Sequence, residues 1–129
     1  MTIARLHTGR RMSQIVVHGA TIYLAGQVAE HAKGKSVTEQ TREILATIER
    51  LLGEAGSDKT RILSATVYLA DIATFAEMNA VWEAWIGAGH APARATVEAK
   101  LAAPEFTVEI VCVAARRRVR AAPGSADPN

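Results

Sequence analysis

The eight residues VEIVCVAA, 108–115, restrict the fold more than any other part of the chain. Alternation puts Val108, Ile110, Cys112 and Ala114 on one face of a strand. Glu109, Val111, Val113 and Ala115 take the other. Apart from Glu109, both faces are apolar. Such a strand belongs inside a sheet, with both of its faces covered. One cover is expected from helices. The second, in a short chain, is expected from another copy of the same chain.

A chain of 129 residues is expected to form one domain, large enough for a core without metal or disulfide staples. Phe, Tyr and Trp occur only twice each, so Ala, Val, Ile and Leu must fill that core. One cysteine, Cys112, forms no internal disulfide and fits a reducing compartment. Residues 1–20 carry no apolar signal region, and no apolar run reaches the ~18 residues of a membrane span. The expectation is a cytoplasmic protein. The formal charge of +2 excludes nothing, because much of the basic excess lies in RRRVR, 116–120.

The remaining elements follow from pattern. Ile15–Val17 and Thr21–Ala25 read as a hairpin turning at His18-Gly19-Ala20. Ile22, Leu24 and Gly26 would share one face, and Gly26 marks a bulge or a close approach to the backbone. Ser36 with Glu39 is a capping box opening a helix with Ile44, Ile48, Leu51, Leu52 and Ala55 inward, ended by Gly53 and Gly56. Arg61–Asp71 reads as a central strand. Thr74 with Glu77 reads as a second capping box, before a helix burying Phe75, Met78, Val81, Trp82, Trp85 and Ile86. GAGH, 87–90, stops it. Strands around Arg94 and along 108–115 complete the domain, with a further short strand at Ile3–His7. The result is an α+β fold, a mixed sheet with two helices packed on one face. Residues 1–117 form the domain, and 118–129 read as a disordered C-terminal tail.

Two charges stand where a sheet usually has none. Arg94 opens a strand between Ala93 and Ala95, beside Pro92, in a setting suited to two-point capture of a carboxylate. A solvated strand face is the alternative. Glu109 interrupts an apolar row, as an edge or ion-paired residue or as a carboxyl that handles a proton. Asn79 reads as a helix-surface amide, and Cys112 as a small core residue. Asp71 serves the turn before the second helix. His7, His18, His31 and His90 lack the spacing of a metal site. No phosphate loop or nucleophile elbow is present. RRRVR has no interleaved aromatics and reads as a solvated terminus, so nucleic acid ranks last among the partners.

Five motifs together carry a family resemblance: YLAGQV (23–28), AGSDKTRILSATVYLAD (55–71), FAEMNAVWEAW (75–85), PARATVEAKL (92–101) and VEIVCVAA (108–115). In order and spacing the chain resembles the RidA/YjgF family of reactive-intermediate deaminases. The resemblance implies a chorismate-mutase-like fold and a homotrimer whose sheets form an inner barrel. It implies sites in the clefts between subunits and hydrolysis of 2-aminoacrylate-type enamines and imines to 2-keto acids and ammonia. This is 2-iminobutanoate/2-iminopropanoate deaminase chemistry, and it needs no cofactor or metal. Residue by residue, Arg94 matches the carboxylate-binding arginine and Glu109 the acid that positions water. Gly26 matches a glycine whose backbone faces the ligand, and Asn79 the helix asparagine. Three positions depart from the family pattern. Met12 stands where tyrosine is expected, Ala25 replaces a serine, and Thr96 replaces a cysteine or serine. The resemblance is therefore to a divergent branch. A non-catalytic trimer binding small carboxylates is the second reading, and a nucleic-acid binder or ribonuclease the third.

Overall fold

The computed structural model describes residues 2–117; the tail at 118–129 lies outside the described residues. The chain forms β1 (Ile3–Thr8), β2 (Ser13–His18), β3 (Thr21–Leu24), α1 (Val37–Glu54), β4 (Ile62–Leu69), α2 (Phe75–Ile86), β5 (Ala93–Glu98) and β6 (Val108–Ala115). One mixed sheet runs β1-β2-β3-β6-β4-β5, with only β4 and β5 parallel. β6 lies inside the sheet, paired antiparallel to both β3 and β4. β5 and β6 follow one another in sequence, yet β4 separates them.

Both helices cover the face that carries Val108, Ile110, Cys112 and Ala114, all buried. On α1, Ile44, Leu45, Ile48 and Leu52 are buried at helical spacing. Each contributes roughly 1.5–3 kcal/mol of burial. Ser36 caps this helix by accepting from Glu39 N at 3.2 Å, a contact worth about 1 kcal/mol. Gly56 ends it at φ +81. Gly53 does not end it, because it lies within the last turn.

The second capping box is absent from the structure. Thr74 sits in a 3-10 turn at φ −87, ψ 9, without a side-chain cap. Its hydroxyl donates to Asp71 O at 2.7 Å. Glu77 turns instead to α1, accepting from Thr38 N and Oγ1, both at 2.9 Å. Asp71 does serve the turn, accepting from Ala73 N at 2.9 Å. Of the expected apolar face of α2, Met78, Trp82 and Ile86 are buried, while Phe75 stays 42% exposed. α2 begins at Phe75, and the buried stripe continues from there at i+3, i+7 and i+11.

Gln40, fully buried on α1, fixes the loop into β6. Its amide donates to Lys35 O and Glu105 O, and its oxygen accepts from Thr107 N, at 2.9–3.0 Å. The far end of β6 is held by Ser57 Oγ donating to Ala115 O at 2.6 Å. Both ends of the strand that carries Glu109 are thus tied to the helix layer. No helix among the described residues is long and apolar enough to cross a membrane.

Candidate active site

Gly26 lies opposite Glu109. A methyl group on Gly26 would stand 2.2 Å from Glu109 Oε2 and 3.3 Å from Val111 Cγ2. The expected close approach to the backbone is therefore that of a carboxylate. The alternation expected for β3 fails at this point. Leu24 is on the helix side, and Gln27, bridged to Ile110, is also on the helix side three residues later. An extra residue has entered the strand, so Gly26 faces away from Ile22 and Leu24. Beside it, Gln27 Nε2 donates to Gln14 Oε1 at 2.8 Å and Ala25 O at 3.0 Å. Ala25 is half-buried, and Met12, in the β1–β2 turn, is 55% exposed.

Arg94 lies on the other side of the sheet. It is in register with Ala65, and Ala65 with Cys112, which faces the helices. Residues in register share a face. The guanidinium reaches α2, donating from Nη2 to Asn79 Oδ1 at 2.7 Å. Nη1 lies 3.9 Å from Met78 Sδ. Its carbon is 5.1 Å from the Trp82 ring centre and 5.9 Å from that of Phe75. Burial pushes the Arg94 pKa below its ordinary value, and the field of Glu83 partly offsets this. Among the described residues, no carboxylate lies within ion-pair distance of Arg94. A guanidinium lodged between rings and an amide, without a counter-ion, is prepared for an anion.

The structure thus separates two candidate groups: Arg94 with Asn79 on the helix side, and Glu109 with Gly26 on the open side. Thr96 follows Arg94 on the same face, and its hydroxyl is buried without a partner. Within one chain Arg94 and Glu109 leave opposite faces of the sheet. The sequence reading missed the roles of Met78, Trp82 and Phe75 beside Arg94. Their spacing places them with Asn79 on one helix, but an apolar stripe by itself reads wholly as core. Among the described residues, no group of three His, Cys, Asp or Glu is placed to hold a metal ion.

A family model described as endoribonuclease L-PSP matches residues 2–116. The chain belongs to this family. The family is also the one called RidA/YjgF, as its relatives' names make plain. A YjgF protein family member from Neisseria meningitidis is 46% identical, with a TM-score of 0.89 over 92% of this chain and 98% of that one. The RutC family protein YoaB of Escherichia coli is 47% identical over 89% of this chain and 99% of its own. A RutC family protein of Haemophilus influenzae is 44% identical over 88% of this chain and 98% of its own. The YjgF fold accounts for the six-stranded mixed sheet with both helices on one side.

Proposed function

We propose that the chain is an enamine/imine deaminase that hydrolyses 2-aminoacrylate-type imino acids at clefts between the subunits of a homotrimer. The observation that carries this reading is the guanidinium of Arg94, held in place by Asn79 with no carboxylate among the described residues at ion-pair distance. Its fork would take a substrate carboxylate through two parallel hydrogen bonds. Glu109 of a neighbouring copy would face the imine carbon. Val16, Tyr23, Val111 and Val113 line the open sheet face, and Tyr23 is 48% exposed in the single chain. These residues supply the apolar surface on which copies would pack.

The reaction needs few groups. The protonated imine, fixed by its carboxylate, presents its carbon to water. Glu109 accepts a proton as the water oxygen bonds to that carbon, and the C=N bond becomes a C–N single bond. The proton returns to nitrogen. The carbinolamine then collapses: its hydroxyl proton passes to Glu109, the C–O bond becomes C=O, the C–N bond breaks, and ammonia leaves with a 2-keto acid. Positioning accounts for much of the rate gain, since such imines already react with water. Cys112, without a disulfide partner, fits a cytoplasmic setting.

A second reading, a non-catalytic trimer binding small carboxylates, is favoured by Met12 and Ala25, which carry no hydroxyl where the family pattern has tyrosine and serine. A coupled assay with freshly generated imino acids separates the two. Deamination by the wild type and its loss in Arg94→Ala supports the enzyme. Carboxylate binding without deamination supports the second reading. RNA cleavage that survives Arg94→Ala would move the family's ribonuclease description ahead of both.

A further inference from the structure

We infer that the carboxylate ligand carries an apolar side chain, and that Phe75 selects it. The inference rests on the reading of Arg94 as the carboxylate anchor.

Phe75 occupies the phase of the buried stripe of α2, which continues through Met78, Trp82 and Ile86. Those three residues are at most 5% exposed, while Phe75 is 42% exposed. The guanidinium of Arg94 lies between the two conditions. Trp82 backs it from the core at 5.1 Å, and Phe75 flanks it from the surface at 5.9 Å. Cation and open phenyl ring thus form one wall, and no carboxylate among the described residues lies within ion-pair distance of it. The ligand that complements such a wall has an anionic end for the fork and a hydrocarbon part for the ring.

The rest of the wall points the same way. Met78 Sδ, fully buried and 3.9 Å from Nη1, backs the guanidinium from the core. Asn79 Oδ1 accepts from Nη2 and so orients the guanidinium fork. Directly over the Phe75 ring a ligand hydroxyl would gain no hydrogen bond, at a cost an apolar group avoids. An alkyl or benzyl chain beside the carboxylate meets no such penalty.

The test uses calorimetric titration of the full chain with 2-keto acids whose side chains are methyl, isobutyl and benzyl. These are the products of the proposed reaction and are stable in solution. The expected result is a Kd that falls about tenfold from methyl to benzyl. Phe75→Ala should flatten this ladder, weakening the benzyl compound about tenfold more than the methyl one, and Phe75→Leu should keep part of it. A flat wild-type ladder overturns the inference. So does a ladder that survives Phe75→Ala, or a change of oligomeric state in that variant, which would make Phe75 an interface residue. Arg94→Lys is run in parallel. If it weakens all three compounds and the wild-type ladder is flat, the anchor stands and only the inference falls. If no keto acid binds the wild type, or Arg94→Lys changes nothing, the anchor falls and the inference with it.

Discussion

Gly26 and Glu109 face each other so closely that a single methyl group on the glycine would meet the carboxylate oxygen at 2.2 Å. The atom in the way is the tip of a flexible side chain. The chain can therefore accommodate the methyl by swinging Glu109 aside. Gly26→Ala is expected to fold with a stability loss of only about 1 kcal/mol. Its deaminase turnover should fall at least about tenfold, as expected when a proton-transfer group leaves its position. Thermal unfolding and the coupled assay, run on one preparation, check both. Equal loss of folding and activity would mean that Gly26 serves the sheet alone.

Asn79 offers a sharper test of the anchor. Asn79→Ala frees one guanidinium N–H, and carboxylate binding should weaken a few-fold. Asn79→Asp is nearly isosteric but places an anion 2.7 Å from Nη2, where the amide oxygen now lies. Arg94 would then have an internal counter-ion competing with the substrate. KM is expected to rise more in Asn79→Asp than in Asn79→Ala, by about tenfold or more. The reverse order would remove Arg94 from the site.

Arg94 and Glu109 leave opposite faces of one sheet, so under the proposed reading each cleft would take them from two copies. Arg94→Ala and Glu109→Gln should each be inactive alone. Unfolded together and reassembled at equal ratio, they should recover about one quarter of wild-type activity, the statistical share of clefts with both residues intact. Two residues acting within one chain would recover none.

Cys112 gives a pH signature. Burial raises its thiol pKa from the ordinary 9.0 to about 12. Above pH 9 the unfolded chain loses this proton while the folded chain keeps it. The unfolded state then binds fewer protons, so stability falls as pH rises from 9 toward 12. The slope from this group approaches about 1.4 kcal/mol per pH unit. Denaturant titrations of wild type and Cys112→Ala should converge as pH rises across that window. Parallel curves would mean that the thiol is already solvated in the native state.

The architecture was legible because helix and strand periods differ and this chain keeps both cleanly. Ile44, Ile48 and Leu52 repeat as a helix, and 108–115 alternates as a strand. Gly26 inside a strand already marks a bulge or a close approach. What pattern alone does not give is that the extra residue turns Gly26 away from Ile22 and Leu24. Thr74 resembled a cap, but its backbone lies in a 3-10 turn and Glu77 had a better donor in Thr38. Arg94 and Glu109 were singled out by chemistry. Their opposite faces depend on the pairing of β5 with β4, which is long-range and leaves no local trace. Phe75 was misplaced because periodicity gives a residue's direction but does not show how far the cover above it extends.

The placement of β6 has a consequence for synthesis. β1, β2 and β3 form one antiparallel group and β4 with β5 a parallel pair, and β6 alone joins the two. It is also the last of these strands to leave the ribosome. Until Val108–Ala115 emerges, β3 and β4 each present an unpaired edge, and the apolar sides of α1 and α2 lack the central rib they cover. Closing the sheet is therefore a late event governed by contacts distant in sequence, which slows it. For that interval the nascent chain exposes sticky edges of the kind that invite pairing with the wrong chain. A ribosome stalled before residue 108 would hold a fragment with both helices encoded and no completed sheet to pack them on.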